Sequence, residues 1–289
     1  NMSTIIDVLA YNTYITSYNA NMVSNEVFID SATLRENVVS LARNIGYTPY
    51  SKRSSQANIS FFVDTSDYVD IPQTITLNKG IVASSSLFAN ESYTFAILDD
   101  ITVPVSDSTA SFDNVAIYEG IYLTSTFTVN SFDPDQRFIL ENSGIDLSTL
   151  RVVVRPSQSS TVTRKYVQSD SLFEVTSESP VYFVQEVDGE RYELIFGDGI
   201  FGKKLEAPSF IEVSYLVTSG ELANGINNFN FAGKLTSSRD NISISTGVSL
   251  VTTLNSSSLG QNIESIESIK KYATRIYSSQ KRAVTTADF

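Results

Sequence analysis

Two groups of residues in this 289-residue chain have types and spacing that could do chemistry. The first is Gly197-Asp198-Gly199-Ile200-Phe201-Gly202, which matches G-x-G-x-x-G and follows a strand-like run, Tyr192–Phe196. In a dinucleotide site such glycines let the backbone approach a pyrophosphate seated on a helix N-terminus. Here Pro208 comes six residues after Gly202, and the next periodic run, Ile211–Val217, reads as another strand. The segment therefore reads as a structural turn between antiparallel strands, built on Gly197, Asp198, Gly199 and Gly202, with glycines in left-handed conformations.

The second group is acidic: Asp99-Asp100 and Asp133/Asp135. Such pairs could hold calcium or act as the acid and base of a glycosidase. They lack EF-hand spacing, and spacing alone does not set the carboxylate separation that glycoside hydrolysis needs. Aspartates beside proline and in loops commonly close turns, which is the simpler reading. Histidine and cysteine are both absent. That excludes Ser-His-Asp and Cys-His nucleophiles, the usual zinc sites and any disulfide. Neither group makes a cofactor, a metal or a small-molecule substrate expected.

Composition bounds the partners. The net charge is −12, which argues against a broad nucleic-acid face. No apolar run approaches the roughly 18 residues that span a bilayer, so no membrane partner is expected. The N-terminus carries no basic-then-apolar secretory pattern, so the N-x-[ST] triplets at Asn58, Asn90, Asn241 and Asn255 carry little meaning. Tyr and Phe number 15 and 17 with no Trp, a usage that suits strands.

The elements follow from periodicity. Val8, Tyr11, Ile15, Tyr18 and Met22 recur at +3, +4, +3, +4, a seam that a lone helix cannot bury. A second helix should start near Asp30–Thr33, where Thr33 and Glu36 have capping-box spacing, and stop at Gly46 and Pro49. Its stripe is Leu34, Val38, Leu41 and Ile45. Residues 1–50 thus read as a helical hairpin whose Tyr-rich seam packs on the domain behind it or on another chain. The pattern is already under way at Asn1, as in a piece of a longer chain. From 51 to 259 the period becomes strand-like, with candidates at Ile59–Val63, Thr74–Leu77, Tyr93–Leu98, Ile101–Val105, Ile121–Val129, Arg151–Val154, Val181–Val187, Tyr192–Phe196 and Ile211–Val217. No helical stripe lies between them, so antiparallel sheet is favoured, as one domain or as two with a break near 156–180. The fold class is α+β, predominantly antiparallel β, with an N-terminal helical hairpin and a C-terminal helix.

Residues 260–289 carry the C-terminal helix and a polar tail. Ile266, Ile269, Ala273 and Ile276 form one stripe, expected to dock on the chain's own sheet. Lys270, Lys271 and Arg275, with Lys281 and Arg282 beyond, make the segment basic in an acidic chain. Lys281-Arg282 is too short for a nucleic-acid patch.

Three stretches together resemble the baseplate J-like proteins of contractile phage tails. They are Ile263–Arg275 with Gln280–Phe289, then Phe196–Gly202 followed by Ile211–Tyr215, and more weakly Leu9–Tyr11 with Phe28–Thr33. The Ser/Asn-rich, acidic character is similar to the version in T-even-type phages. Thr274 and Ser209 depart from the pattern, where proline and glycine are frequent. The resemblance implies a structural wedge component of the virion's tail baseplate, assembled in the host cytoplasm. It would pair with itself, bind other wedge proteins and link wedges into a ring, and the chain would continue past Phe289 into a further domain. The residues to carry contacts are then Val8, Tyr11, Ile15, Tyr18 and Met22, together with the C-terminal cations. An alternative from another class is a β-rich tail protein that binds or degrades carbohydrate through Asp133 or Asp135.

Overall fold

The computed structural model describes residues 2–68, 71–133, 135–169, 175–238, 243–244 and 246–279. It divides into two compact units, one of Asn1–Tyr50, Glu186–Gly189 and Glu264–Phe289, the other of Ser51–Gln185 and Glu190–Ile263.

The first unit contains α1 (Met2–Glu26), α2 (Arg35–Asn44) and α3 (Ile266–Ser279). α2 and α3 bury their stripes in each other: Val38, Val39 and Ala42 meet Ile269 and Ala273, with Ala32 and Tyr47 completing the cluster. The α3 stripe therefore docks on a helix and not on the sheet that was expected, because an apolar stripe calls for an apolar partner surface of any secondary structure. Gly46 ends α2 at φ +83. Its N–H bonds to Arg43 O and that of Tyr47 to Ala42 O, a Schellman closure that leaves Tyr47 against the core. At the start of α3, Ser265 Oγ accepts from the Ser268 N–H at 3.3 Å, as an N-cap should.

The expected N-terminal hairpin needs correction. Two helices are present, but α1 runs for 25 residues and buries none of them, so the packed pair is α2 with α3. The Thr33/Glu36 box does not form either, since Leu34 at the N-cap makes no side-chain bond. Glu26, at the end of α1, takes over the work. Its carboxylate accepts from the N–H groups of Thr33 (2.8 Å) and Leu34 (3.3 Å), the Thr33 hydroxyl (2.6 Å) and Asn37 Nδ2 (2.8 Å). Those donors hold Glu26 down at about 2, the Thr33 hydroxyl first among them. Glu36 turns to the Gly189 N–H at 3.3 Å.

The β unit contains, in chain order, β1 (Gln56–Asp64), β2 (Thr74–Leu77), β3 (Gly80–Ser85), β4 (Thr94–Ile97), β5 (Ile101–Pro104) and β6 (Thr109–Glu119). β7 (Ile121–Thr128), β8 (Phe138–Leu140), β9 (Ile145–Arg155), β10 (Arg164–Gln168), β11 (Val181–Val187) and β12 (Arg191–Phe196) follow. The last are β13 (Phe210–Val217), β14 (Phe229–Phe231), β15 (Leu235–Ser237), β16 (Ser243–Ile244) and β17 (Thr252–Ser258). They form sheets ordered β14-β3-β4-β6-β1-β17, β7-β13-β9-β10-β11-β12-β8 and β16-β15-β2-β5. The described ladders are antiparallel apart from β10 with β11, which runs parallel from Val167 opposite Val181.

Ala57, Ile59, Phe61 and Val63 alternate inward along β1 and meet Phe112, Val115 and Ile117 of β6 in the first core. The second core is built on Leu140, Val152, Tyr182, Leu194, Ile211, Val213 and Tyr215. Ala96, Leu98 and Leu216, with Tyr118 and Tyr122 beside them, form a smaller cluster of their own. β6 had no counterpart among the expected strands. Asn114 sits at φ +54 and the β1–β6 register shifts between Ile59 and Phe61, so the inward phase changes in mid-strand and hides the alternation.

Two buried carboxylates bridge these strands. Glu119, 3% exposed, ends β6 and accepts from Thr218 Oγ1 (2.6 Å) and the Ser219 N–H (3.1 Å). Asp146 in β9 accepts from the Ser54 N–H (2.7 Å), just before β1. Each ties a strand of one sheet to a segment flanking a strand of the other. Burial pushes Glu119 above the ordinary carboxylate range, against the pull of the Thr218 hydroxyl, the Ser219 donors and the Lys52 ammonium.

Candidate interaction surfaces

The residues proposed for contact lie on α1 and α3. Val8, Tyr11, Tyr18 and Met22 are exposed on α1, Tyr11 by 68% and Tyr18 by 59%, and Ile15 is half-buried. The exposed apolar surface is wider than that seam. Ile5, Ile6, Leu9, Tyr14 and Val23 join it, so the helix shows apolar side chains on most of its circumference. Residues 8–25 include no charged side chain. A polar face that would keep a solitary helix in water is thus weak, consisting of Asn, Ser and Thr alone. An isolated helix of this length is marginal, and burial stabilises by about 1.5–3 kcal/mol for each large apolar side chain removed from water.

On α3 the cations lie apart from the stripe. Lys270 Nζ donates to the Asp30 carbonyl at 3.2 Å. Lys271 is exposed, its ammonium 5.8 Å from the Tyr272 ring centre, and Arg275 is exposed one turn on. Lys281 and Arg282 lie outside the described residues. What anchors this end of the chain is a residue the sequence reading passed over. Glu264, 7% exposed, accepts from the Tyr47 hydroxyl (2.7 Å), the Tyr50 N–H (3.0 Å) and the Ser268 hydroxyl (2.7 Å). Arg35 adds a hydrogen bond to the Glu264 carbonyl and a two-pronged ion pair to Glu186 (2.8 and 3.1 Å). A carboxylate next to a serine N-cap was the available signal, but its Tyr47 and Tyr50 donors are more than 200 residues away.

The Gly197–Gly202 segment forms a turn between β12 and β13. Asp198 Oδ1 accepts from the N–H groups of Ile200 and Phe201, each at 2.8 Å, and those donors hold its carboxyl below the usual range. Gly199 and Gly202 adopt φ +95 and +89. A Cβ on Gly197 would lie 2.1 Å from the Gly202 carbonyl carbon, so the two backbones meet too closely for any side chain there. The chain then enters β13 with no helix between, so no helix N-terminus is offered to a phosphate.

The acidic pairs fall in two different places. Asp133 and Asp135 line a cavity of about 590 Å³ with Arg137, Glu193 and Lys204. Glu193 in that cavity is engaged by Arg137 Nε and Nη2, each at 2.7 Å, and by Gln185 Nε2 at 2.6 Å. Asp99 and Asp100 line a second cavity of about 720 Å³. There Asp99 pairs with Arg151 at 3.6 Å and Asp100 accepts from the Lys79 N–H at 2.7 Å. Among the described residues no three acidic side chains are grouped to hold a metal ion, and no helix is long and apolar enough to cross a membrane.

No protein-family model matches the chain. Along its whole length it is similar to a curated phage protein, the baseplate wedge protein gp6 of Enterobacteria phage T4. The two are 25% identical over 306 aligned residues, covering 100% of this chain and 44% of the phage protein. The chain thus spans less than half the length of the relative it matches.

Proposed function

We propose that this chain is a non-enzymatic structural component of a contractile-tail baseplate wedge, of the baseplate J-like type. It pairs with copies of itself, binds other wedge proteins and helps link wedges into a ring in the virion. The observation that carries this reading is the likeness to a baseplate wedge protein over the entire chain. The exposed, charge-free face of α1 supports it physically, as a helix whose stability is completed by a partner helix. In this reading Val8, Tyr11, Ile15, Tyr18 and Met22 form the buried seam of that contact. Lys270, Lys271 and Arg275 present a basic patch to acidic neighbours, setting register more than affinity. Assembly takes place in the host cytoplasm.

The test is association. Light scattering of the chain alone, and co-purification with candidate wedge proteins, should show complexes that Tyr11→Asp/Tyr18→Asp weakens. A strictly monomeric mass together with no binding to any wedge protein would overturn the reading. The carbohydrate alternative gains no comparable support. In the cavity at Asp133 and Asp135 the buried carboxylate is already paired, and Phe138 and Phe196 pack edge to face in the core.

A further inference from the structure

β7 is the longest outer strand among the described residues. The outer strands of the three sheets are β14, β17, β7, β8, β16 and β5. β14 and β8 have three residues each, β16 has two, and β5 has four and ends in Pro104. β17 meets β1 with two breaks in register. β7 has eight residues, pairs with β13 without a break, and contains neither a charged side chain nor a proline. Shortness, bulges, proline and edge charges are the devices that keep natural sheets from adding a strand, and β7 has none of them.

The backbone of β7 can be assigned group by group. The Val129 N–H bonds to Ser209 O at 2.9 Å, and the ladder then sets Phe127, Ser125 and Leu123 to bond β13 in the same phase. Thr218 N–H bonds to Gly144 O on the opposite side of β13, which confirms that phase. The N–H and C=O groups of Thr124, Thr126 and Thr128 therefore point away from the sheet. Gln136 Nε2 covers the Thr128 carbonyl at 2.9 Å. Tyr122 packs beside Ala96 and Leu98, which leaves Leu123–Thr128 as the open stretch.

We infer that this edge pairs antiparallel with the same edge of a second copy, across a two-fold axis at Ser125, joining two seven-stranded sheets. Thr124 then exchanges backbone hydrogen bonds with Thr126 of the second copy, and the reverse pair repeats the exchange. Self-pairing needs outward groups spaced symmetrically about one residue, and Thr124 and Thr126 flank Ser125 in that way. Charge selects the occupant: two copies of a −12 chain repel over most of their surfaces, and β7 offers a surface without charge. This contact deepens the proposed self-association and rests on it, as a second surface besides α1.

Three variants test it. The chain has no cysteine, and Ser125 would face its own copy with Cα atoms about 4.5 Å apart, within disulfide range. Ser125→Cys should therefore give a disulfide-linked dimer on mild oxidation of the native protein and none in denaturant. Thr124→Lys/Thr126→Lys sets like charges opposite one another and should weaken self-association about tenfold. Thr124→Lys/Thr126→Glu sets opposite charges in the same places and should restore it, which mere misfolding or non-specific aggregation would not do. Unchanged self-association of the double-lysine variant, with Ser125→Cys remaining monomeric, overturns the edge contact and leaves the wedge reading standing on another surface. A parent chain that stays monomeric at all concentrations overturns the edge contact and the self-association, and the wedge reading falls with them when no wedge protein binds either.

Discussion

The Tyr47 hydroxyl donates to Glu264 Oε1 at 2.7 Å, joining residues 217 positions apart. Burial first, and the carboxylate second, push the Tyr47 phenol above its ordinary range. Tyr47→Phe leaves a buried carboxylate short of a donor and should cost about 1–3 kcal/mol. Urea unfolding followed by helical circular dichroism would measure the loss. An unchanged midpoint would show that the α2–α3 pair does not depend on this bond.

Ile269 and Ala273 are fully buried between α2 and α3. Ile269→Ala should destabilise the helical unit by about 2–5 kcal/mol, through lost burial and the cavity left behind. Val8→Ala on the exposed face of α1 should change the stability of a dilute sample little. Equal losses from both substitutions would contradict the burial described for α1.

Glu119 sets a pH dependence with a definite sign. Its folded pKa is raised above the ordinary 4.5 by burial, so its contribution to stability is full below 4.5 and is lost as pH rises through the raised value. Glu119→Gln removes that loss. The stability of the variant relative to the parent should therefore improve from pH 4.5 upward, as followed by denaturant midpoints. A difference that is constant across this range would rule the assignment out.

Glu26 has the opposite sign. Its pKa falls from 4.5 to about 2, so its contribution is present above 4.5 and is lost as pH drops toward 2. Glu26→Gln should differ from the parent at neutral pH and converge with it on acidification. Thermal melts of helical signal at a series of pH values would show whether the two curves close.

Gly197→Ala should cost about 3 kcal/mol, because its Cβ would meet the Gly202 backbone at 2.1 Å with no flexible side chain to move aside. Calorimetry would read this directly. A tolerated alanine would mean that the turn can open without loss.

Much of the fold was legible in sequence where one periodic signal decides it. Val38, Leu41 and Ile45 of the expected α2 stripe and all of Ile266–Ile269–Ala273–Ile276 lie in the helical core, whereas Leu34 is exposed at the N-cap, and runs such as Thr74–Leu77 and Val181–Val187 are strands. The misses share a cause, which is that partners distant in sequence decide the outcome. The α3 stripe met α2 and not a sheet, Glu26 displaced the Thr33/Glu36 box, and Glu264 found Tyr47 across the whole β unit. β6 was hidden by a positive φ at Asn114. For the contact surfaces, the Tyr-rich seam of α1 was readable from spacing. The open edge at β7 was not, since only the arrangement of three sheets shows which strands lie outermost.

The helical core closes between segments far apart in the chain, α2 ending at Asn44 and α3 beginning at Ile266. On a ribosome adding about 5–20 residues per second, α2 waits for its partner through about 220 further residues, or roughly 10–40 s. During that time Val38, Val39 and Ala42 stay uncovered while the β unit becomes available to fold. The order of synthesis thus lets the β unit pack before the helical core can close.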